Sequence, residues 1–80
     1  MFREEPFHLR EIYLRADEGQ IAHSLHRILA DFPDLLLGSY PYFDNPKYSI
    51  KVTLESKDPQ YVERAHTRLV SELKGFLATD

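Results

Sequence analysis

The sequence predicts an α+β domain, a two-layer sandwich in which a three-stranded sheet carries both helices on one face. Two segments, residues 7–16 and 48–56, alternate apolar and polar residues as half-buried strands do. Two others, 17–32 and 58–73, repeat apolar residues at intervals of three and four, as amphipathic helices do. With a further strand at 35–42, the order is strand–helix–strand–strand–helix.

The connections between these elements predict the topology. A strand–helix–strand unit is almost always a right-handed crossover. The hairpin that follows then places the third strand beside the first, which gives the spatial order 2-3-1. We expect a fold close to a truncated ferredoxin-like or KH-like variant. The domain spans 7–77, between a lead-in at 1–6 and a tail at 78–80.

The first strand and the first helix meet at Asp17. Ile12 and Leu14 alternate with polar residues and predict the buried face of the strand. Asp17 is a good N-cap, and Gln20 three residues later resembles a capping box. The predicted buried stripe of the helix is Ile21, Leu25, Ile28, Leu29 and Phe32. We expect Leu25, at its centre, to be buried.

The second and third strands form a hairpin. Gly38 and Pro41 weaken the second strand, which predicts a bulge or an early end there and an edge position in the sheet. The segment 43–47 has turn composition. In the third strand the predicted inner face is Tyr48, Ile50, Val52 and Leu54. A slip of one residue would bury lysine and glutamate, so the register is strongly set.

The second helix has clear end signals. Asp58 is its predicted N-cap, and Pro59 occupies the first helical position, where a missing N–H costs nothing. Gly75 is the predicted terminator. Phe76 and the following leucine either pack on the helix end or begin a short final strand. The predicted buried stripe is Val62, Ala65, Leu69 and Leu73.

Composition excludes several classes of function. Eighty residues allow one small domain, and the absence of cysteine excludes disulfides, thiolate metal sites and cysteine nucleophiles. The longest wholly apolar run is three leucines, far short of a membrane span. The net charge is −3, whereas nucleic-acid binders usually carry a basic surplus. Neither a membrane nor a nucleic acid is an expected partner.

No catalytic, cofactor-binding or metal-binding residues are predicted. The three glycines are too scattered to form a phosphate loop, and no nucleophile elbow is present. His23 and His26, three apart on the first helix, supply two ligands where a metal site needs three or four. We therefore interpret His23 as an exposed helix histidine and place His26 at the border of the buried stripe.

The candidate interface lies on the sheet face away from the helices. Tyr13, Arg15 and Lys51 are predicted to point there. Tyr40, Tyr42 and Phe43 cluster in the hairpin nearby and form either a docking surface or a cap over the open end of the core. A single aromatic residue on the sheet itself is a thin platform for stacking RNA bases.

Two strings of residues carry a family resemblance. They are Leu37-Gly38-Ser39-Tyr40-Pro41 and Tyr48-Ser49-Ile50-Lys51-Val52-Thr53-Leu54-Glu55-Ser56, with Phe7-His8, Glu11-Ile12-Tyr13, Ala16-Asp17-Glu18 and Ile21-Ala22 before them. Together they resemble a small domain that follows the molybdopterin-binding-like domain in eukaryotic FAD synthases. A similar domain occurs in CinA-type competence/damage-inducible proteins. The likeness covers about residues 7–75.

The resemblance implies a non-catalytic accessory domain cut from a longer cytoplasmic protein. In those families nucleotide pyrophosphate hydrolysis, FAD synthesis and nicotinamide-nucleotide deamidation belong to neighbouring domains. The expected partners are those neighbours or a second copy in a homodimer, and the string from Gly38 to Pro41 is expected to be structural or interfacial. The alternative is a free-standing ligand- or RNA-binding module.

Overall fold

The computed structural model describes residues 7–78 and has the predicted order of elements. They are β1 (His8–Leu14), α1 (Glu18–Asp31), β2 (Leu36–Pro41), β3 (Ile50–Ser56) and α2 (Pro59–Glu72), followed by a 3₁₀ turn at Lys74–Phe76. The predicted lead-in at 1–6 and the last two residues of the predicted tail lie outside the described residues.

The sheet has the predicted arrangement. Its strand order is β1-β3-β2, and β3 pairs antiparallel with both neighbours. Val52 is the centre of this arrangement, since it lies opposite Ile12 on one side and Ser39 on the other. Because β3 is the inner strand, Ile50, Val52 and Leu54 are almost completely buried.

β2 is more regular than its sequence predicts. Each residue from Leu36 to Pro41 pairs with one residue of β3 in an unbroken register. Of the two predicted alternatives, the bulge is therefore wrong, while the strand does end at Pro41, one residue before the predicted end. The prediction of an edge position is confirmed, because β2 is an outer strand of the sheet. Pro41 is the last residue of the strand. Proline at an edge position need not cost a ladder hydrogen bond, which explains why the strand stays regular.

The N-terminal ends of both helices follow their sequence signals. The Asp58 carboxylate accepts hydrogen bonds from the backbone N–H groups of Gln60 at 3.0 Å and Tyr61 at 3.4 Å. The backbone N–H of Asp17 donates to the side-chain oxygen of Gln20 at 2.8 Å, as in a capping box. Each helix therefore begins with part of its unpaired backbone satisfied.

α2 supplies most of the helical part of the core. It packs on the central strand β3 and on the outer strand β1. All four residues of its predicted stripe, Val62, Ala65, Leu69 and Leu73, are at most 1% exposed. This part of the prediction is confirmed.

α1 packs chiefly on α2 and buries a narrower stripe than predicted. Ile21 and Ile28 are fully buried, whereas Leu25 and Phe32 are only partly buried. Leu29 is 36% exposed, so its assignment to the core is wrong. The physical reason is the position of α1. Its apolar face extends past α2 toward the edge strand β2, where no other element covers it within residues 7–78.

The segment after α2 lies along the outer edge of β1. The helix ends at Glu72, and Gly75 sits inside the 3₁₀ turn without a positive φ, so its predicted role as terminator is wrong. Arg15 donates its backbone N–H to the Phe76 carbonyl at 2.7 Å. Leu77 then forms a single antiparallel bridge, the beginning of the final strand that was one of two alternatives.

Candidate functional site

The candidate site is the sheet face that the helices leave uncovered, here called the open face. It is built in rungs across the three strands, with β3 in the centre. The rungs are Tyr13–Lys51–Tyr40, Glu11–Thr53–Gly38 and Leu9–Glu55–Leu36. Of the predicted interface residues, Tyr13, Lys51 and Tyr40 therefore lie side by side on one rung.

Tyrosines form a cluster at one end of the open face. The rings of Tyr13 and Tyr48 lie 4.6 Å apart, and those of Tyr42 and Tyr48 meet edge-to-face at 5.2 Å. The Lys51 ammonium lies 5.7 Å from the centre of the Tyr40 ring and 5.9 Å from that of Tyr42. Tyr48 was predicted on the inner face, which is wrong: it precedes β3, where the strand alternation no longer applies.

The charges on this rung are coupled to one another. The Tyr13 hydroxyl donates to the Glu11 carboxylate at 3.0 Å, and this hydrogen bond raises the pKa of Tyr13. The pKa of Lys51 is also raised, first by its interaction with the Tyr42 hydroxyl and further by the Glu11 carboxylate 3.7 Å away. Tyrosine is neutral and lysine is charged at neutral pH, and both shifts act in the same sense, so the rung presents one cation among aromatic rings.

Gly38 makes room for Tyr40. A Cβ at position 38 would lie 2.7 Å from the Tyr40 hydroxyl oxygen and 2.9 Å from the Thr53 hydroxyl oxygen. The end of the Tyr40 ring therefore lies over the glycine, two residues along the same strand, next to the buried Thr53. The Gly-x-Tyr spacing in the matching string has a physical cause. The close approach at Gly38 comes from the side chains of Tyr40 and Thr53.

The Arg15 side chain binds the hairpin loop. Its guanidinium donates to the carbonyl of Lys47 at 2.7 Å and to that of Pro46 at 3.2 Å. Asn45 reinforces the same turn by accepting the Lys47 backbone N–H at 2.8 Å. Arg15 thus fixes the loop that carries Phe43, whose side chain is 91% exposed. Of the hairpin aromatics, Tyr42 packs inward on the cluster and Phe43 stands free.

The other end of the open face is apolar, and sequence reasoning missed it. Phe7, Leu9 and Leu36 are each about half exposed there. The Lys57 ammonium lies 5.7 Å from the centre of the Phe7 ring. The signal was present in the alternation that placed Tyr13 outward, because the same period of two carries Leu9 and Phe7 to that face.

Comparison with protein families identifies the chain. Residues 6–80 match the family described as FAD synthase, middle domain. The chain belongs to this family. The resemblance to the FAD synthase domain is thereby confirmed over nearly the whole sequence, and the strings around Gly38 and β3 form the part of this middle domain that shapes its open face.

The described part of this middle domain holds no cluster suited to a metal. No three histidine, aspartate or glutamate side chains come together within residues 7–78. His23 is exposed on α1, as interpreted from the sequence, and His26, which was placed at the border of the stripe, is exposed as well. No helix in the same range is long and apolar enough to cross a membrane.

Proposed function

We propose that this chain is the accessory domain of a FAD synthase and that it orients a neighbouring domain by holding it against the open face. The observation that carries the proposal is the exposure of Phe7, Leu9, Leu36 and Tyr40 on one side of a single sheet. An antiparallel sheet with helices on one side leaves its second face to water or to a partner. We place this role in the cytoplasm, in keeping with the absence of cysteine.

The charges on the open face favour a polar contact between domains. Lys51 and Lys57 are matched there by Glu11 and Glu55, so the face has no basic track of the kind that follows a nucleic-acid backbone. Exposed apolar groups between paired charges are typical of interfaces between domains of one chain. This balance favours a protein partner over the RNA-binding alternative.

The open face is also fixed in shape before any partner arrives. The tyrosine cluster is braced by ring contacts, and Arg15 holds the hairpin loop beside it. A preformed surface loses little conformational entropy on binding. Tyr40, which lies half exposed on the face, and Phe43, which projects from the loop, are the expected anchors, since aromatic residues dominate binding energy at interfaces.

The test measures binding of this domain to the flanking domains of a FAD synthase, supplied as separate polypeptides, by calorimetry. The variant Phe7→Ser with Leu9→Ser removes apolar area from the open face at positions that are about half exposed. We expect at least about tenfold weaker binding. The matched control is Leu29→Ser, an exposed leucine on the helical layer, which should bind as the unaltered domain does.

Hydrogen exchange on the same mixtures locates the contact. Amides in β3 and along the open face of β1 should gain protection when the partner is added. Equal loss of binding in both variants, or protection confined to the helices, would overturn the proposal. Binding of single-stranded RNA at low salt that competes with the partner domain would support the alternative module instead.

A further inference from the structure

The outer edge of β2 carries unused backbone hydrogen-bonding groups. The Tyr42 N–H donates to the Ser49 carbonyl at 2.8 Å, in the same register as the strand. Successive residues of an antiparallel strand point their backbone groups alternately toward and away from the partner. Leu37, Ser39 and Pro41 therefore direct theirs away from β3. Since proline has no N–H, this edge offers two donors and three acceptors.

The two outer edges of the sheet differ. On β1 the chain covers part of its own edge, because Arg15 donates to Phe76 and the Ala78 N–H donates to the Tyr13 carbonyl at 2.9 Å. Within residues 7–78 no segment pairs with the corresponding edge of β2. Exposed strand edges are templates for pairing with another chain.

A groove runs beside this edge, between α1 and β2. Its volume is about 250 Å³, and its apolar lining is Ala22, Leu25, Leu29 and Leu37. The Ser39 hydroxyl oxygen also faces it, buried and without a hydrogen-bond partner among the described residues. Buried hydroxyls are normally paired, so this one points to a missing partner.

We propose that β2 pairs with β2 of a second copy of this chain, antiparallel about a twofold axis at Ser39. The two sheets then join into one six-stranded sheet. Ser39 of each copy exchanges both backbone hydrogen bonds with the other, and the Leu37 N–H donates to the Pro41 carbonyl across the axis. Every free donor of the edge finds an acceptor in this register, and the N–H that Pro41 lacks is not needed.

The side chains fit the same register. The two Ser39 hydroxyls become neighbours on the inner face, which supplies the partner that each one lacks. On the open face Gly38 lies opposite Tyr40 of the second copy. The Tyr40 side chain of each copy already fills the place of the Cβ that its own Gly38 lacks. The Tyr40 side chain of the second copy therefore lies beside it, across the twofold axis, and the joined sheet extends the open face.

The first helices meet above the joined strands. The twofold axis makes them antiparallel, so Leu25 and Leu29 of one copy cover those of the other and close the groove. Glu18 and His26 lie four residues to either side of Ala22 along this groove. The antiparallel arrangement brings Glu18 of one copy toward His26 of the other, a carboxylate acceptor beside an imidazole donor. The strand pairing and the helix contacts are therefore compatible with the same twofold arrangement of two copies.

The first test is the mass of the chain in sedimentation, which should be twice 9.4 kDa. Ser39→Pro removes the central N–H of the edge without touching the ladder to β3, and Leu29→Glu places a charge in the helix contact. Both should weaken dimerisation by about tenfold or more, with an unchanged circular dichroism spectrum. The matched control Ser39→Ala keeps the N–H and should remain a dimer.

Hydrogen exchange provides a second measurement that does not depend on Ser39→Pro folding well. The Leu37 and Ser39 amides should exchange slowly in the unaltered chain and rapidly in Leu29→Glu. A chain that stays monomeric, or a dimer that persists in Leu29→Glu with these amides still protected, would overturn the proposal. The double variant Phe7→Ser with Leu9→Ser should remain a dimer. The proposed dimer and the proposed docking of a neighbouring domain can therefore be disproved independently of each other.

Discussion

The two helices have the same length and similar sequence patterns but play different parts in the molecule. Each spans 14 residues and begins after an aspartate. α2 lies over β1 and β3 and buries its whole apolar stripe, whereas α1 leans on α2 and leaves Leu25 and Leu29 partly exposed. Periodicity in a sequence therefore predicts which face of a helix is apolar. How deeply that face is buried depends on what the fold places beneath it.

The two helices therefore differ in role: α2 mainly stabilises the fold, whereas α1 leaves apolar surface available for interaction. A helix over the centre of a sheet removes its apolar area from water within one chain, and that burial is the main favourable term in folding. A helix toward the edge retains apolar area that a second molecule can cover. The exposed part of the α1 apolar stripe borders the outer edge of β2. The proposed dimer therefore forms where the apolar residues of the domain are least buried.

The largest expected effect is at the centre of α2. Leu69 is fully buried, and Leu69→Ala should lower the free energy of unfolding by about 2–5 kcal/mol through lost transfer energy and the cavity left behind. Urea denaturation followed by circular dichroism measures the change. A loss below about 1 kcal/mol would contradict the assignment of α2 as the main helical contributor to the core.

The same substitution in α1 should cost less. Leu25 is partly buried, so Leu25→Ala is expected to cost about 1–2 kcal/mol, less than the burial predicted from sequence implies. Leu29→Ala serves as the control and should change stability by less than about 0.5 kcal/mol, measured below the dimerisation range. Equal losses at Leu25 and Leu69 would remove the distinction between the helices.

The helix caps should differ as well. Asp58→Ala removes an acceptor for two backbone N–H groups of α2 and should cost about 1 kcal/mol, whereas Asp58→Asn should be nearly silent. In α1, Gln20→Ala frees the exposed N–H of Asp17 to water and should cost about 0.5 kcal/mol. Thermal melts compare the three variants. Equal damage from alanine and asparagine at position 58 would mean that the carboxylate has a role besides capping.

The fold was predictable because local signals and chain connectivity agreed. The alternation in β3 set the register, Asp58 and Pro59 marked the start of α2, and Pro41 indicated an edge strand. The handedness of the crossover then left one strand order. The wrong predictions concern residues whose position is not determined by the periodicity of the neighbouring strand or helix. Tyr48 precedes its strand and turns to the open face, and Gly75 sits in a 3₁₀ turn.

The candidate site was predictable only in part. Tyr13, Lys51 and Tyr40 were expected on or near the open face, and the sheet register places them on one rung. The apolar end at Leu9 and Leu36 was missed, because an outward leucine in a strand looks like a core residue until its register is known. The fit of Tyr40 over Gly38 depends on the side-chain rotamer of Tyr40, which reaches back over the residue two positions earlier. Composition and spacing do not specify that rotamer.

The smallest expected effect is electrostatic and joins the two helices. Arg27 of α1 donates to Glu72 of α2 at 2.5 Å, and Arg68 approaches the same carboxylate at 3.4 Å. The hydrogen bond from Arg27 lowers the pKa of Glu72 below its ordinary value of 4.5. A carboxyl with a lowered folded-state pKa stabilises the fold above its unfolded pKa. That stabilisation is fully present at neutral pH and is lost as pH falls from about 4.5 through the folded-state value.

Glu72→Gln should therefore lower stability at pH 7 by about 0.2–1 kcal/mol, since Arg27 is half exposed and the pair is screened by solvent. The difference between variant and unaltered chain should shrink toward zero as the pH falls through the folded-state pKa of Glu72, because the carboxyl is then protonated in both states. Arg27→Gln tests the partner, and the double variant should lose no more than either single change. A pH-independent difference, or additive losses, would mean that Glu72 acts by packing against α1 and not through its charge.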